Sequence, residues 1–172
     1  MAANVEIKAR VSDFDALRRR AEEISDGPVD RIEQEDIFFN TTQGRFKLRV
    51  FSEERGELIY YERADQAGPK HSQYFISRTN EPRKLTIVLE SALGIRGIVR
   101  KRRWLYWVGN TRLHLDIVEG LGAFVELEVV LSTGQRIEEG EAIATSLMER
   151  LGISKGDLIE GAYIDLLEKS SG

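Results

Sequence analysis

Acidic and basic side chains recur at alternate positions in several short stretches of this chain: Glu6, Lys8 and Arg10; Arg45, Lys47 and Arg49; Lys101 and Arg103; Asp116; and Glu126 with Glu128. Spacing by two puts each set on one face of a strand. Carboxylates on such a face hold hard divalent cations through oxygen, whereas Lys and Arg hold phosphate oxygens. A surface carrying both suits a polyphosphate chain accompanied by Mg²⁺ or Mn²⁺, and suits an apolar ligand poorly.

The elements that must position these charges are strands whose other faces are apolar. Val5, Ile7, Ala9 and Val11 alternate against Asn4, Glu6, Lys8 and Arg10, which predicts a strand over 4–11. Phe46, Leu48 and Val50 oppose Arg45, Lys47 and Arg49 in the same way. Further strands are expected over 34–39, 44–51, 58–63, 74–77, 99–108, 111–119 and 123–131, with a looser loop over 65–72. Phe14, Leu17, Ala21 and Ile24 follow Ser12, the expected N-cap, at helical spacing and stop at Gly27-Pro28, so a helix covers 13–25. A second helix opens at Pro82 and closes at Gly94, with Leu85, Val88, Leu89 and Ala92 as its stripe. Ile143, Leu147, Met148 and Leu151 mark a third that Gly152 ends, and Tyr163 to Leu167 add a last turn.

Gly109-Asn110 between two strand runs is a two-residue hairpin signal that fixes register. It sets Arg103 opposite Asp116, with Trp104 and Leu115 paired on the reverse face. If Gly120-Leu121-Gly122 forms the next loop, Asp116 falls opposite Glu126 and His114 opposite Glu128. Facing carboxylates repel, so this patch needs Arg103 or a metal ion as compensation. His114 is read as hydrogen-bonding a carboxylate across the sheet, because no second His lies near it and its neighbours are oxygen donors. Trp104 and Tyr106 share parity with Leu113 and Leu115 and belong under a helix, while one of Tyr60 and Tyr61 must face inward.

A flat sheet of seven or eight such strands would expose two edges and a dense mixed-charge surface. Closing it into a barrel removes the edges and turns the charges inward. The expected class is therefore α+β: a closed antiparallel β-barrel of about eight strands, helices on its outer face and a polar tunnel inside. Charges buried there need partners or ligands.

The 172 residues carry no cysteine, which removes disulfides and thiolate sites, and no repeat or linker divides the single expected domain, 1–172. A formal net charge of -4 disfavours nucleic acid as a partner. The longest apolar run, Trp104 to Val108, is too short for a bilayer, and the start lacks the pattern of a signal peptide, so a cytoplasmic protein with no membrane partner is expected. Gly120-Leu121-Gly122 lacks the third glycine of a dinucleotide fingerprint, and there is no phosphate-binding loop ending in Gly-Lys-Ser/Thr.

In order along the chain, Asn4-Val5-Glu6-Ile7-Lys8, Gly44-Arg45-Phe46-Lys47-Leu48-Arg49, Val99-x-Lys101-x-Arg103, His114-Leu115-Asp116 and Phe124-Val125-Glu126-Leu127-Glu128 resemble the motifs of the CYTH superfamily, the triphosphate tunnel metalloenzymes. Leu58 to Arg63 and Val118 to Gly122 are most similar to the class IV adenylyl cyclase-like branch. The resemblance implies an enzyme acting on a metal-bound triphosphate: ATP to cyclic AMP and pyrophosphate, or hydrolysis of tripolyphosphate or thiamine triphosphate. A binding module without turnover is the third alternative, and a homodimer is allowed. It further implies Glu6, Glu126 and Glu128 as ligands of Mg²⁺ or Mn²⁺, Asp116 as ligand or metal-adjacent base, and Lys8 and Asp116 as the catalytic residues. Lys8, Arg49, Lys101 and Arg103 would grip the triphosphate, helped by Arg10, Lys47 and Arg63. The family signature begins with Glu where this chain has Asn4, an amide that offers a carbonyl oxygen but no charge.

Overall fold

The computed structural model describes residues 2–63 and 66–171, without the side chains of Ala2, Arg63 and Ser171. Eight strands, β1 (Ala2–Arg10), β2 (Asp30–Phe39), β3 (Arg45–Ser52), β4 (Arg55–Arg63), β5 (Lys70–Thr79), β6 (Ile95–Val108), β7 (Thr111–Val118) and β8 (Gly122–Val130), pair antiparallel in the order β1-β5-β4-β3-β2-β6-β7-β8 and close on themselves. No sheet edge is left, and every strand has an inner and an outer face. The α+β barrel read from the alternation is the fold observed.

The helices cover the outside. The apolar face of β1, with Leu113, Leu115, Leu127 and Val129, packs against α1 (Phe14–Ile24) and α3 (Ile137–Leu151) through Leu17, Ala21, Leu147 and Leu151. Tyr106 is in this cluster, and Trp104 meets Phe14 edge-on at 5.0 Å. Helix α2 (Pro82–Leu93) lays Leu85 and Leu89 over Ile37, Phe39, Leu48 and Val50. These buried apolar faces are why the charged faces have only the interior to occupy.

Helix α4 (Tyr163–Ser171) is longer than the single turn expected. Its first residues, Ala162, Tyr163 and Ile164, pack with Phe38, Val99, Val118 and Phe124, and Ala162 and Tyr163 line the barrel interior. A Cβ on Gly97 would collide with Ile164 Cδ1, so the close approach of α4 to β6 requires glycine there. Asp165 fastens the helix start, accepting from the Ala162 N–H at 2.7 Å and from Arg45 at 2.7 Å.

Two local expectations are corrected. The N-cap of α1 is Asp13, whose side chain accepts from the Ala16 N–H at 3.0 Å, one residue after Ser12. The β7–β8 connection is Glu119-Gly120-Leu121, with Val118 opposite Gly122, because Gly120 takes the left-handed φ of 83° that turns the chain one step early. Asp116 consequently faces Phe124, His114 faces Glu126, and Arg112 faces Glu128. A slip of two residues keeps every side chain on its face, so the charged set still points inward. The β6–β7 register, Arg103 opposite Asp116 and Trp104 opposite Leu115, is as the hairpin signal required.

Candidate active site inside the barrel

The interior holds a cavity of about 700 Å³, counting its space open to solvent. Strand β1 contributes Asn4, Glu6 and Lys8; β2 Asp36 and Phe38; β3 Lys47 and Arg49; β6 Val99, Lys101 and Arg103; β7 Arg112; and β8 Glu126 and Glu128. Ile59, Tyr61, Tyr74 and Ile76 of β4 and β5 form an apolar and aromatic wall, so Tyr61 is the inward member of its pair. Seven of the expected site residues other than Arg49 are at most 9 % exposed: Glu6, Lys8, Lys47, Lys101, Arg103, Asp116 and Glu126.

The charges sort into two groups. In the first, Asp36 sits among cations: Arg49 binds it through both carboxylate oxygens at 2.8 and 2.9 Å, Lys47 donates at 3.0 Å and Lys101 lies 3.6 Å away. Burial pushes the Asp36 carboxyl up, but Arg49, Lys47 and Lys101 outweigh it and hold the group well below its usual range. Burial and the neighbouring Arg49 bring the Lys47 ammonium down to about 7 against the pull of Asp36. Lys101 is lowered by burial and by Arg103.

In the second group, β1, β7 and β8 bring Glu126, Glu128, His114 and Asn4 together. Glu126 lies 3.4 Å from Lys8 and 3.7 Å from Arg103, and Glu128 accepts from Arg112 at 2.9 Å. Burial opposes ionisation of Glu126, yet Lys8, Arg103 and Lys101 hold it well below the carboxylate range. Glu128 is held low against burial by His114 and Arg112. Burial and Arg103 depress His114 against the raising pull of Glu128. His114 Nδ1 is 3.2 Å from Glu128 Oε1, the carboxylate contact expected of it, but without hydrogen-bond alignment. Asn4 Nδ2 reaches Glu128 Oε2 at 3.4 Å while its Oδ1 has no partner among the described residues.

Asp116 lies behind this wall. It is fully buried, takes two hydrogen bonds of 2.7 Å from Arg103, and accepts the Tyr163 hydroxyl at 2.8 Å. Arg103 more than offsets burial and keeps Asp116 ionised, while burial and then Asp116 push Tyr163 well up. Lys8 Nζ stands 3.7 Å above the Tyr163 ring. Asp116 therefore orients Arg103 and is absent from the cavity lining.

Arg10 is exposed at the end of β1, 5.4 Å from the Phe124 ring, and does not line the cavity. The side chain of Arg63 lies outside the described residues. Sequence reading missed Asp36, Arg112, Tyr74 and Tyr163; Arg112 shares the parity of His114 and Asp116, a signal that could have found it.

A divalent cation fits the second group. One donor atom from each of His114, Glu126 and Glu128 lies within 4.8 Å of the others, and the orphaned Asn4 oxygen is beside Glu128. Two negative charges with neutral donors around them are the composition such an ion requires.

Residues 2–163 match the CYTH domain. The chain belongs to the CYTH family. MJ0240 of Methanocaldococcus jannaschii, whose name makes it a candidate adenylate cyclase, is 29 % identical over 94 % of this chain and 97 % of its own. Adenylate cyclase CyaB of Aeromonas hydrophila is 25 % identical over 96 % of this chain and 89 % of its own. Among solved structures, the PH1012 protein of Pyrococcus horikoshii superposes with a TM-score of 0.81 at 26 % identity, covering 95 % of this chain and 98 % of that one.

Proposed function

We propose that this CYTH protein is a metal-dependent enzyme that binds a nucleoside triphosphate inside the barrel and converts ATP to cyclic AMP and pyrophosphate. The observation that carries the reading is the convergence of Lys8, Lys47, Arg49, Lys101, Arg103 and Arg112 with Glu6, Glu126 and Glu128 on one cavity that also has an apolar and aromatic wall. A triphosphate needs the cations, and a nucleoside attached to it needs Ile59, Tyr61, Tyr74 and Ile76. The names of the two full-length relatives support the cyclase chemistry.

Glu126 and Glu128, with Glu6, would hold Mg²⁺ or Mn²⁺, which when bound lowers the pKa of the attacking hydroxyl and offsets phosphate charge. The bond formed joins the ribose 3′-oxygen to the α-phosphorus, the bond broken is that from the α-phosphorus to the bridging oxygen of the leaving pyrophosphate, and the hydroxyl proton passes to solvent water. Lys47, Arg49 and Lys101 receive the charge that builds on the leaving pyrophosphate. Arg103, fixed by Asp116 and Tyr163, keeps its guanidinium aimed inward without reorganising during reaction.

Incubation with ATP, thiamine triphosphate and tripolyphosphate in Mg²⁺ or Mn²⁺, with products resolved by anion-exchange chromatography, tests the proposal. Cyclic AMP and pyrophosphate from ATP are expected. Free phosphate from any of the three would replace the cyclase by a triphosphatase, in which water attacks the terminal phosphorus. Tight binding without product would leave a binding module.

A further inference from the structure

His114 and Asn4 are the two uncharged polar side chains in the carboxylate group, and neither is satisfied. They are 4 % and 2 % exposed, and His114 Nδ1 and Asn4 Oδ1 have no hydrogen-bond partner among the described residues although both side chains stand beside Glu128. An imidazole whose task was to donate to Glu128 would align its N–H on the carboxylate at this distance. An imidazole that offers a lone pair to something between itself and the carboxylates need not.

We propose that His114 Nδ1 is a metal ligand, with Glu126 and Glu128 as its carboxylate partners and Asn4 Oδ1 as a neutral fourth donor. The site so formed selects a first-row transition-metal dication, Mn²⁺ among them, over Mg²⁺. Ligand atoms on opposite sides of one such ion stand about 4.0–4.6 Å apart, so the His114, Glu126 and Glu128 donors, one atom of each already within 4.8 Å of the others, close on it with sub-ångström movement. Mg²⁺ demands a near-ideal octahedron of oxygens, whereas an imidazole nitrogen favours the later dications of the row.

The charge balance agrees. Two carboxylates neutralise one dication, and Arg112, Lys8 and Arg103, which contact Glu128 or Glu126 at 2.9, 3.4 and 3.7 Å, then turn to an anionic substrate. With Glu6 already opposite Glu128 on β1, Asn4 in place of a further carboxylate limits the negative charge of the filled site. The proposal deepens the functional reading above, on which it rests for the purpose of the ion alone.

The test uses the full chain and Mn²⁺ with no nucleotide. Electron spin-echo modulation of bound Mn²⁺ is expected to carry an imidazole nitrogen signal that shifts when the histidines are labelled with ¹⁵N. His114→Gln should lose that signal and bind Mn²⁺ about tenfold more weakly by titration calorimetry, with Mg²⁺ affinity little changed. Bound Mn²⁺ without nitrogen modulation, an unchanged Mn²⁺ to Mg²⁺ ratio in the variant, or no binding at millimolar Mn²⁺ would each overturn the assignment. The labelling experiment repeated on His71→Gln, which keeps His114 as the one histidine of the chain, decides the matter even where His114→Gln fails to fold. Nitrogen-ligated Mn²⁺ in a protein that converts no triphosphate would remove the functional reading and leave the metal site standing; turnover with all-oxygen Mn²⁺ would do the reverse.

Discussion

Asp36 and Glu128 face the same cavity, yet their surroundings differ in kind. Asp36 is enclosed by one guanidinium and two ammonium groups, with both its oxygens taken by Arg49. Glu128 has a single well-aligned cation, Arg112, and otherwise meets an amide and an imidazole edge. The first acid is a counter-ion that lets like-charged bases stand together before substrate arrives. The second has coordination to spare. Burial alone distinguishes neither; what separates a structural carboxylate from a binding one is whether the neighbours already meet its demand.

Breaking the counter-ion should have the largest effect. Asp36→Asn strands Lys47, Arg49 and Lys101 in the interior and is expected to lower stability by about 3–5 kcal/mol in urea denaturation. Tripolyphosphate should restore more of that loss in the variant than it adds to the native protein, because it supplies the missing negative charge. Equal stabilisation of both would show that the phosphate does not reach this group.

The converse change, Glu126→Ala, should reduce metal-dependent turnover by about 100-fold or more while leaving the melting temperature near the native value. It relieves repulsion from Glu128 even as it strips Lys8 and Arg103 of a partner. Activity retained within a few-fold would remove Glu126 from the ligand set.

Lys47 sharpens the comparison through pH. With its folded pKa at about 7, the ammonium is largely lost above neutrality, and a bound polyphosphate must draw the proton back. Tripolyphosphate affinity should therefore fall by up to about tenfold per pH unit above 7, with proton uptake measurable by calorimetry in buffers of different ionisation enthalpy. For the unliganded protein the sign is opposite: the unfolded chain holds this proton up to its ordinary pKa, so the Lys47 contribution to stability grows as pH rises from 7. The Asp36, Glu126 and Glu128 contributions have the same sign in a lower window and are lost as pH drops through the carboxylate range.

The smallest effect is expected at Tyr163→Phe, which deletes one hydrogen bond to an Asp116 still held twice by Arg103. A loss of about 1 kcal/mol in urea denaturation is expected. A much larger loss would mean that the hydroxyl, and not the ring, anchors α4 at the barrel.

The barrel and most of its charged lining were legible because two faces of opposite character alternate cleanly in β1, β3 and β8. Arg103 and Asp116 could be paired residue by residue, since a two-residue turn leaves one register. Asp36 was not legible: Glu33-Gln34-Glu35-Asp36 is polar on both faces, and only the three-dimensional pairing of β2 with β3 and β6 decides which side turns in. Tyr163 follows a stretch with weak periodicity, and its place comes from how α4 docks on Gly97 and Phe124. Arg10 alternates with the inward set, but at the strand end the barrel wall no longer encloses it. The slip between β7 and β8 followed from which glycine takes the turn, a choice that tertiary context makes.

The seam between β1 and β8 unites side chains that leave the ribosome far apart, Asn4 and Glu128 being separated by 124 positions. Until that last pairing zips, Lys8 has no Glu126 and the acids of β8 have no β1 beside them. Such long-range closure is slow and comes late in synthesis. A half-made chain thus carries no competent centre, and capturing a ligand becomes a report that the whole circle is complete.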